Sequence, residues 1–190
     1  MNPGKLNKWM GIFAYRDGEW RLQRHVYCAC KYLPRVIFSP LAQARDGAEV
    51  KIRRTNIDKR FALLIEGRFH LIASVDYTDK AYLTLTAARV VPELITGERT
   101  VSRQGRLNRP ENVSISIEPF CGVISEKYLN HAQQLPNAVL ENGLILTTPK
   151  CVKLKSGDTL VHSGKRYSVL TAHTEDEYIN DYEIVRMEDA

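Results

Sequence analysis

The sequence predicts a mainly β protein made of two small barrel-like or sandwich-like modules related by an internal duplication, with short helices confined to loops. Three observations predict it. Apolar residues come in short runs, such as Phe61-Ala62-Leu63-Leu64-Ile65 and Tyr82-Leu83-Thr84-Leu85, separated by Gly, Asp and Asn. That is the pattern of strands joined by tight turns. A string in the first half, Ile65-Glu66-Gly67-Arg68-Phe69-His70-Leu71-Ile72-Ala73-Ser74, has a counterpart from Val161 to Ala172, where Ser163-Gly164-Lys165-Arg166-Tyr167 repeats the turn glycine, the basic residue and the aromatic. Finally, 190 residues with 44% hydrophobic and 26% charged content suffice for two small cores and exclude wholesale disorder.

Taken in order, the first strands lie near Trp20–Tyr32, Lys51–Arg54 and Phe61–Ile65, followed by Arg68–Val75 and Ala81–Val90. Ser39-Pro40 reads as the cap and first position of a short helix through Arg45, because proline is tolerated there. In the second half, strands are expected over Asn112–Phe120 and Val139–Thr147, with a short helix between them at Ser125–Gln134. Each hairpin string is followed by an acidic turn and an aromatic-led strand, which pairs Tyr82 with Tyr182 as the corresponding residues. Asn142-Gly143 and Ser156-Gly157-Asp158 are turn sequences. Between the copies, Pro92–Pro110 carries Arg99, Arg103, Arg106 and Arg109 among Gly, Ser and Asn. The expected organisation is a first β domain over 1–95, a basic linker or arm over 96–110 and a second β-rich domain over 111–190.

The net charge is +5, unevenly spread: residues 1–95 hold 16 Lys/Arg against 9 Asp/Glu, and residues 96–190 hold 11 against 13. A basic half beside a mildly acidic half suits head-to-tail stacking or contact with a polyanion. No apolar run approaches the roughly 20 residues that cross a bilayer, and Met1–Lys5 lacks the apolar core of a secretory signal. The expected setting is therefore cytosol-like or assembled, without a membrane.

Recognisable chemistry is absent. Cys28, Cys30, Cys121 and Cys151 lack the paired Cys-x-x-Cys spacing of a zinc site and read as buried free thiols. His25, His70, His131, His162 and His173 are scattered, and no nucleophile elbow, phosphate loop or dinucleotide glycine pattern occurs. Glu175-Asp176-Glu177 reads as a solvated hairpin tip rather than a cation site. Neither a catalytic residue, a cofactor nor a metal is expected.

Residues 1 to about 91 resemble the head–tail joining (head-closure) proteins of tailed bacteriophages. The resemblance lies in the opening Met1-Asn2-Pro3-Gly4-Lys5-Leu6-Asn7, the short strand behind it, the Trp20-to-Tyr32 region leading into a variable loop, and the strands ending in Ile65-Glu66-Gly67-Arg68-Phe69-His70-Leu71-Ile72-Ala73-Ser74-Val75. The chain departs from the family by adding a second module of similar style. The resemblance implies a non-enzymatic virion protein, assembled from the host cytoplasm into the neck as a homo-oligomeric ring, 12-fold on the portal side or 6-fold facing the tail. Its partners would be a portal or adaptor protein, a tail terminator or tail-completion protein, and packaged double-stranded DNA touched without regard to sequence.

Residues proposed to contact subunits or DNA are Arg99, Arg103, Arg106 and Arg109 in the basic segment, and Lys51, Arg53 and Arg54 on an early strand. Two alternatives are a tail terminator or tail-completion protein, and a tandem small-barrel nucleic-acid-binding protein. The nucleic-acid reading requires surface aromatics interleaved with basic residues for base stacking. Phe61 and Phe69 read as core, so only Tyr77 and Tyr82 near Lys80 meet that requirement.

Overall fold

The structure, a computed structural model, describes residues 6–104, 110–127 and 143–187. All regular structure among them is strand. The first six strands are β1 (Lys8–Arg16), β2 (Glu19–Ile37), β3 (Gln43–Arg53), β4 (Phe61–Ile65), β5 (Arg68–Asp76) and β6 (Tyr82–Arg89). They pair in the order β1-β2-β3-β6-β5-β4 and close into a barrel through β1–β4. The next six are β7 (Glu93–Gln104), β8 (Pro110–Glu126), β9 (Leu144–Pro149), β10 (Thr159–His162), β11 (Lys165–His173) and β12 (Ile179–Arg186). Their order is β7-β8-β9-β12-β11-β10, closed through β7–β10. The topology of the first barrel thus recurs strand for strand in the second.

The repetition extends to register. The β4–β5 and β10–β11 hairpins turn through Glu66-Gly67 and Ser163-Gly164, with φ of 49° and 74° in one and 48° and 74° in the other. Two successive positive φ values make the tight turn whose twist matches that of the flanking strands. Beyond it, β5 faces β6 through Ile72↔Ala87 and Ser74↔Thr86, and β11 faces β12 through Val169↔Ile184 and Thr171↔Glu183. In each of these two strand pairs the register shifts at one bulged residue, Ala73 or Leu170. This fixes one correspondence differently from the sequence reading. Tyr182 faces Ala172 as Leu85 faces Val75, so the counterpart of Tyr182 is Leu85 and not Tyr82.

Corresponding positions also build the cores. Met10, Val50, Leu63 and Leu85 fill the first barrel, and Ile95, Leu146, Leu160 and Tyr182 fill the second. Each fully buried side chain of this size contributes about 1.5–3 kcal/mol of transfer free energy. Tyr182 buries a hydroxyl as well, which donates to the Val152 carbonyl at 2.9 Å and accepts the Leu154 N–H at 3.1 Å. A third cluster joins the barrels, packing Ala62, Leu71 and Ala88 of the first against Val123 and Ile145 of the second.

Three expectations need correction. Among the described residues the loop helices are not seen: at Ser39 the side-chain oxygen accepts the N–H groups of Leu41 (3.3 Å) and Ala42 (2.9 Å), which makes a turn leading directly into β3. Of the second helical candidate, Ser125 and Glu126 end β8 and Lys127 bridges to Ala42, while 128–134 lie outside the described residues. The basic segment is no linker. Its described residues, 96–104 and 110, belong to β7 and β8, and the chain passes between barrels near Val91-Pro92. The reason is local: Thr96, Thr100 and Val101 favour extended backbone, and Val101 faces Val113 across the hairpin.

Candidate assembly surface: a docked hairpin, a longer hairpin and an aromatic face

Each barrel starts with a hairpin whose second strand joins its other neighbour only further along. β2 pairs with β3 from Cys28 onward and β8 with β9 from Val123 onward. The earlier parts of β2 and β8 therefore present strand edges outside the barrel ladders, and such edges invite pairing.

The β1–β2 hairpin ends at Asp17-Gly18, with φ of 51° and 82°. Its tip docks on the β8 edge of the second barrel. The Cys121 N–H donates to the Gly18 carbonyl at 2.8 Å and lies 3.2 Å from the Tyr15 hydroxyl oxygen. A Cβ on Gly18 would sit 2.4 Å from the Pro119 carbonyl oxygen, so only glycine permits the approach. Tyr15 is fixed edge-on to Trp20 at 5.2 Å, and burial raises its phenol above the ordinary value.

The β7–β8 hairpin continues where the first one turns. Pairing runs through Val101↔Val113, Ser102↔Asn112, Arg103↔Glu111 and Gln104↔Pro110. Strand alternation sorts its residues into a polar face with Thr100, Ser102, Asn112 and Ser114, and an opposite, mixed face where Val101, Val113 and Ile115 lie among Arg99, Arg103 and Glu111. Val113 and Ile115 are 37% and 40% exposed.

Of the residues expected to make contacts, Arg99 is fully engaged within the chain. Its guanidinium forks onto Asp158 at 2.8 and 2.7 Å and also donates to the Lys153 carbonyl. Asp158 is buried and accepts the Lys155 N–H at 2.7 Å as well. Arg103 is exposed, on the same arm face as Val101. Arg106 and Arg109 lie outside the described residues. On the other barrel, Lys51 approaches Asp79 (3.6 Å) and the Tyr82 ring, Arg54 holds the Tyr77 and Asp79 carbonyls, and Arg53 is exposed. Arg99 and Arg103 thus sit on a different barrel from Lys51, Arg53 and Arg54.

The sequence reading missed an aromatic face. Trp9 stacks on His25 at 5.2 Å and meets Tyr27 edge-on at 4.7 Å, while Trp9 and Tyr27 stay 55% and 59% exposed. A signal was present, since Trp9, Phe13 and Tyr15 alternate with the buried Met10 and Ile12. A strand that is apolar on both faces calls for a cover on each. Tyr77 is also 48% exposed, with its hydroxyl donating to the Ile57 carbonyl, and Tyr82 lies under the Lys51 ammonium.

A cavity of about 400 Å³ lies between the barrels, lined by Trp20, Phe61, Cys121, Cys151, Lys59 and Lys150 among others. Both lysines are engaged there: Lys59 with Asp176 at 3.4 Å, Lys150 with the Thr174 carbonyl at 2.6 Å. The acidic stretch expected as a solvated tip is thereby tied across the barrel junction through Asp176. The four cysteines are free. Cys28 is buried, its thiol pushed up to about 11 by desolvation, whereas Cys151 is exposed, contrary to the expectation that all four are buried. Comparison of the chain with family models, curated proteins and solved structures gave no match.

Proposed function

We propose that the chain is a non-catalytic structural subunit of a bacteriophage neck, forming a ring between portal or adaptor and tail that closes the DNA-filled head and gives the tail its attachment surface. The observation that supports this most is the pairing of two closed barrels, held together by a shared apolar cluster, with a projecting hairpin and open strand edges. A rigid body with protruding strands suits repeated subunit contacts. The resemblance of residues 1–91 to head–tail joining proteins supplies the location. Cryo-EM of the particle should find twin-barrel subunits in a 12-fold or 6-fold ring at the neck. Copies found only away from the neck would sink the proposal.

A second reading, nucleic-acid binding, is favoured by Trp9, His25 and Tyr27, because exposed rings are stacking platforms for bases. It requires salt-sensitive binding of single-stranded oligonucleotides with quenching of tryptophan fluorescence.

A further inference from the structure

A second recess lies between the barrels and shares no lining residue with the aromatic-lined cavity. It measures about 800 Å³ and is walled by Arg35, Gln43 and Arg45 of the first barrel and by Ser125, Glu126 and Lys127 of the second. The recess has no part in the neck reading. Arg35 and Arg45 stand opposite each other on β2 and β3, between the pairs Pro34↔Asp46 and Val36↔Ala44. Both are exposed, and neither guanidinium has a hydrogen bond or ion pair among the described residues. The carboxylates around them are committed elsewhere. Asp46, next to Arg45 in sequence, accepts from Arg89 at 2.8 Å, and Glu183 accepts from Lys127 at 2.9 Å. Glu126 is exposed and pairs with neither arginine.

Three features of this recess are unfavourable without a ligand or have no other explanation in the fold. Like charges directly across a strand pair repel, so the opposed arginines weaken the β2–β3 ladder where they meet. The backbone is strained at the same place. Among the described residues, four other than glycine have positive φ, and Asp17, Glu66 and Ser163 each precede a positive-φ glycine in a two-residue turn. Arg35, with φ of 54°, lies inside β2, where no turn requires that conformation. Backbone strain of this kind is concentrated at functional sites and ligand clamps. On the facing wall, Ser125 keeps its hydroxyl oxygen buried without a hydrogen-bond partner. Buried hydroxyls left in that state are uncommon.

We propose that this recess binds a phosphate group between the Arg35 and Arg45 guanidiniums, with Gln43 and Ser125 as neutral donors on the walls. An anion placed there turns the repulsion across the strands into two attractions and gives the Ser125 hydroxyl an acceptor. Guanidinium forks match oxyanions with paired N–H donors. A carboxylate's two oxygens are taken up by one fork, whereas a phosphate keeps oxygens for the second fork and for a hydroxyl. A recess of about 800 Å³ also has room for the molecule that carries the group. A nucleic-acid backbone, a phosphate monoester and inorganic phosphate share this chemistry.

The test titrates inorganic phosphate into the full chain at constant ionic strength, balanced with chloride, and follows the phosphorus resonance and the melting temperature. Wild-type protein should broaden the resonance saturably and melt higher as phosphate rises. Arg45→Gln, and Arg35→Asn with a residue that tolerates positive φ, should each bind phosphate roughly 10- to 100-fold more weakly. Without phosphate both variants should melt no lower than the wild type, because each removes a repulsion. Absence of saturable broadening, or equal binding by wild type and both variants, overturns the site. Variants that melt lower in chloride alone also overturn it, since the arginines then serve the fold. Displacement of the bound phosphate by a short DNA duplex supports the site and makes a nucleic-acid backbone the source. Displacement by a nucleoside monophosphate but not by the duplex supports it with a monoester, and displacement by neither supports it with the inorganic ion itself. A failure here leaves the neck reading untouched, since that reading rests on the particle experiment.

Discussion

The first hairpin of the first barrel and the first hairpin of the second start from the same register and end differently. In β1–β2 a two-residue turn lets Gly18 reach the backbone of Pro119–Cys121, and the hairpin is consumed in joining the barrels. In β7–β8 three further pairs, from Ser102↔Asn112 to Gln104↔Pro110, carry the hairpin past that level. The level just before the turns also differs. Ala14 faces Phe61 in the first barrel, and the corresponding positions in the second hold Arg99 and Asp158. An apolar pair and a forked ion pair therefore fill the same place in one fold. The scaffold tolerates either chemistry, and the shorter hairpin is the one whose tip joins the barrels.

The ion pair offers the strongest test of this equivalence. Asp158→Ala should cost about 3–4 kcal/mol in urea unfolding, because the Arg99 charge loses its partner in a largely enclosed site. Exchanging both residues for the chemistry of the first barrel, Arg99→Ala with Asp158→Phe, should recover most of that loss, since well-packed apolar replacements of buried ion pairs are often neutral. A double variant as unstable as the single one would break the equivalence. Next in size is Gly18→Ala. A side chain there must adopt φ near 82° and push against the Pro119 carbonyl, so a loss of about 2–3 kcal/mol is expected, with protease cutting between the barrels. Gly67→Ala and Gly164→Ala meet open space at the same φ of 74° and should each cost only about 1 kcal/mol. Unequal costs there would argue against equivalent turns.

The smallest effects appear in the dependence on pH. Burial holds His70 below its ordinary value of 6.5, so the unfolded chain takes up a proton before the folded one does. Stability contributed by neutral His70 is present above pH 6.5 and is lost as pH falls through the lowered folded value. Asp181 in the second barrel behaves oppositely. Desolvation raises it above 3.8, an effect only partly offset by the Thr147 hydroxyl donating to Oδ1 at 2.6 Å. Its contribution is favourable while protonated and is lost as pH rises from 3.8 through the raised folded value. His70→Gln should flatten the acid-side slope of the urea midpoint, and Asp181→Asn the slope above pH 3.8. Slopes that survive both substitutions would assign the dependence to other groups.

Much of the fold was legible because β structure declares itself locally. Glu66-Gly67 and Ser163-Gly164 announce the same turn, and the strings behind them contain the same bulge. Correspondence failed where matching relied on residue type: Tyr182 looked like Tyr82, yet the pairing set it opposite Ala172 in a core position that the first barrel fills with Leu85. The basic segment misled for a related reason. Arginine spacing suggested a charged tether, but alternation in a strand puts Arg99 and Arg103 on one face and commits Arg99 to a carboxylate 59 residues away. Pairings at such separations leave no mark on local composition. The aromatic face went unnoticed because Trp9 and Tyr27 belong to different strands and meet only through the β1–β2 register.

The hairpin-on-edge contact also sets an order of events during synthesis. The first barrel closes when β4 pairs with β1 and β6 has joined β3 and β5, so its ladder needs nothing beyond Arg89. Domains emerging first generally fold first. The seat for Gly18 at Pro119–Cys121 emerges only later, and the second barrel cannot close until β10 meets β7. For that interval the nascent chain exposes a finished hairpin tip without its seat.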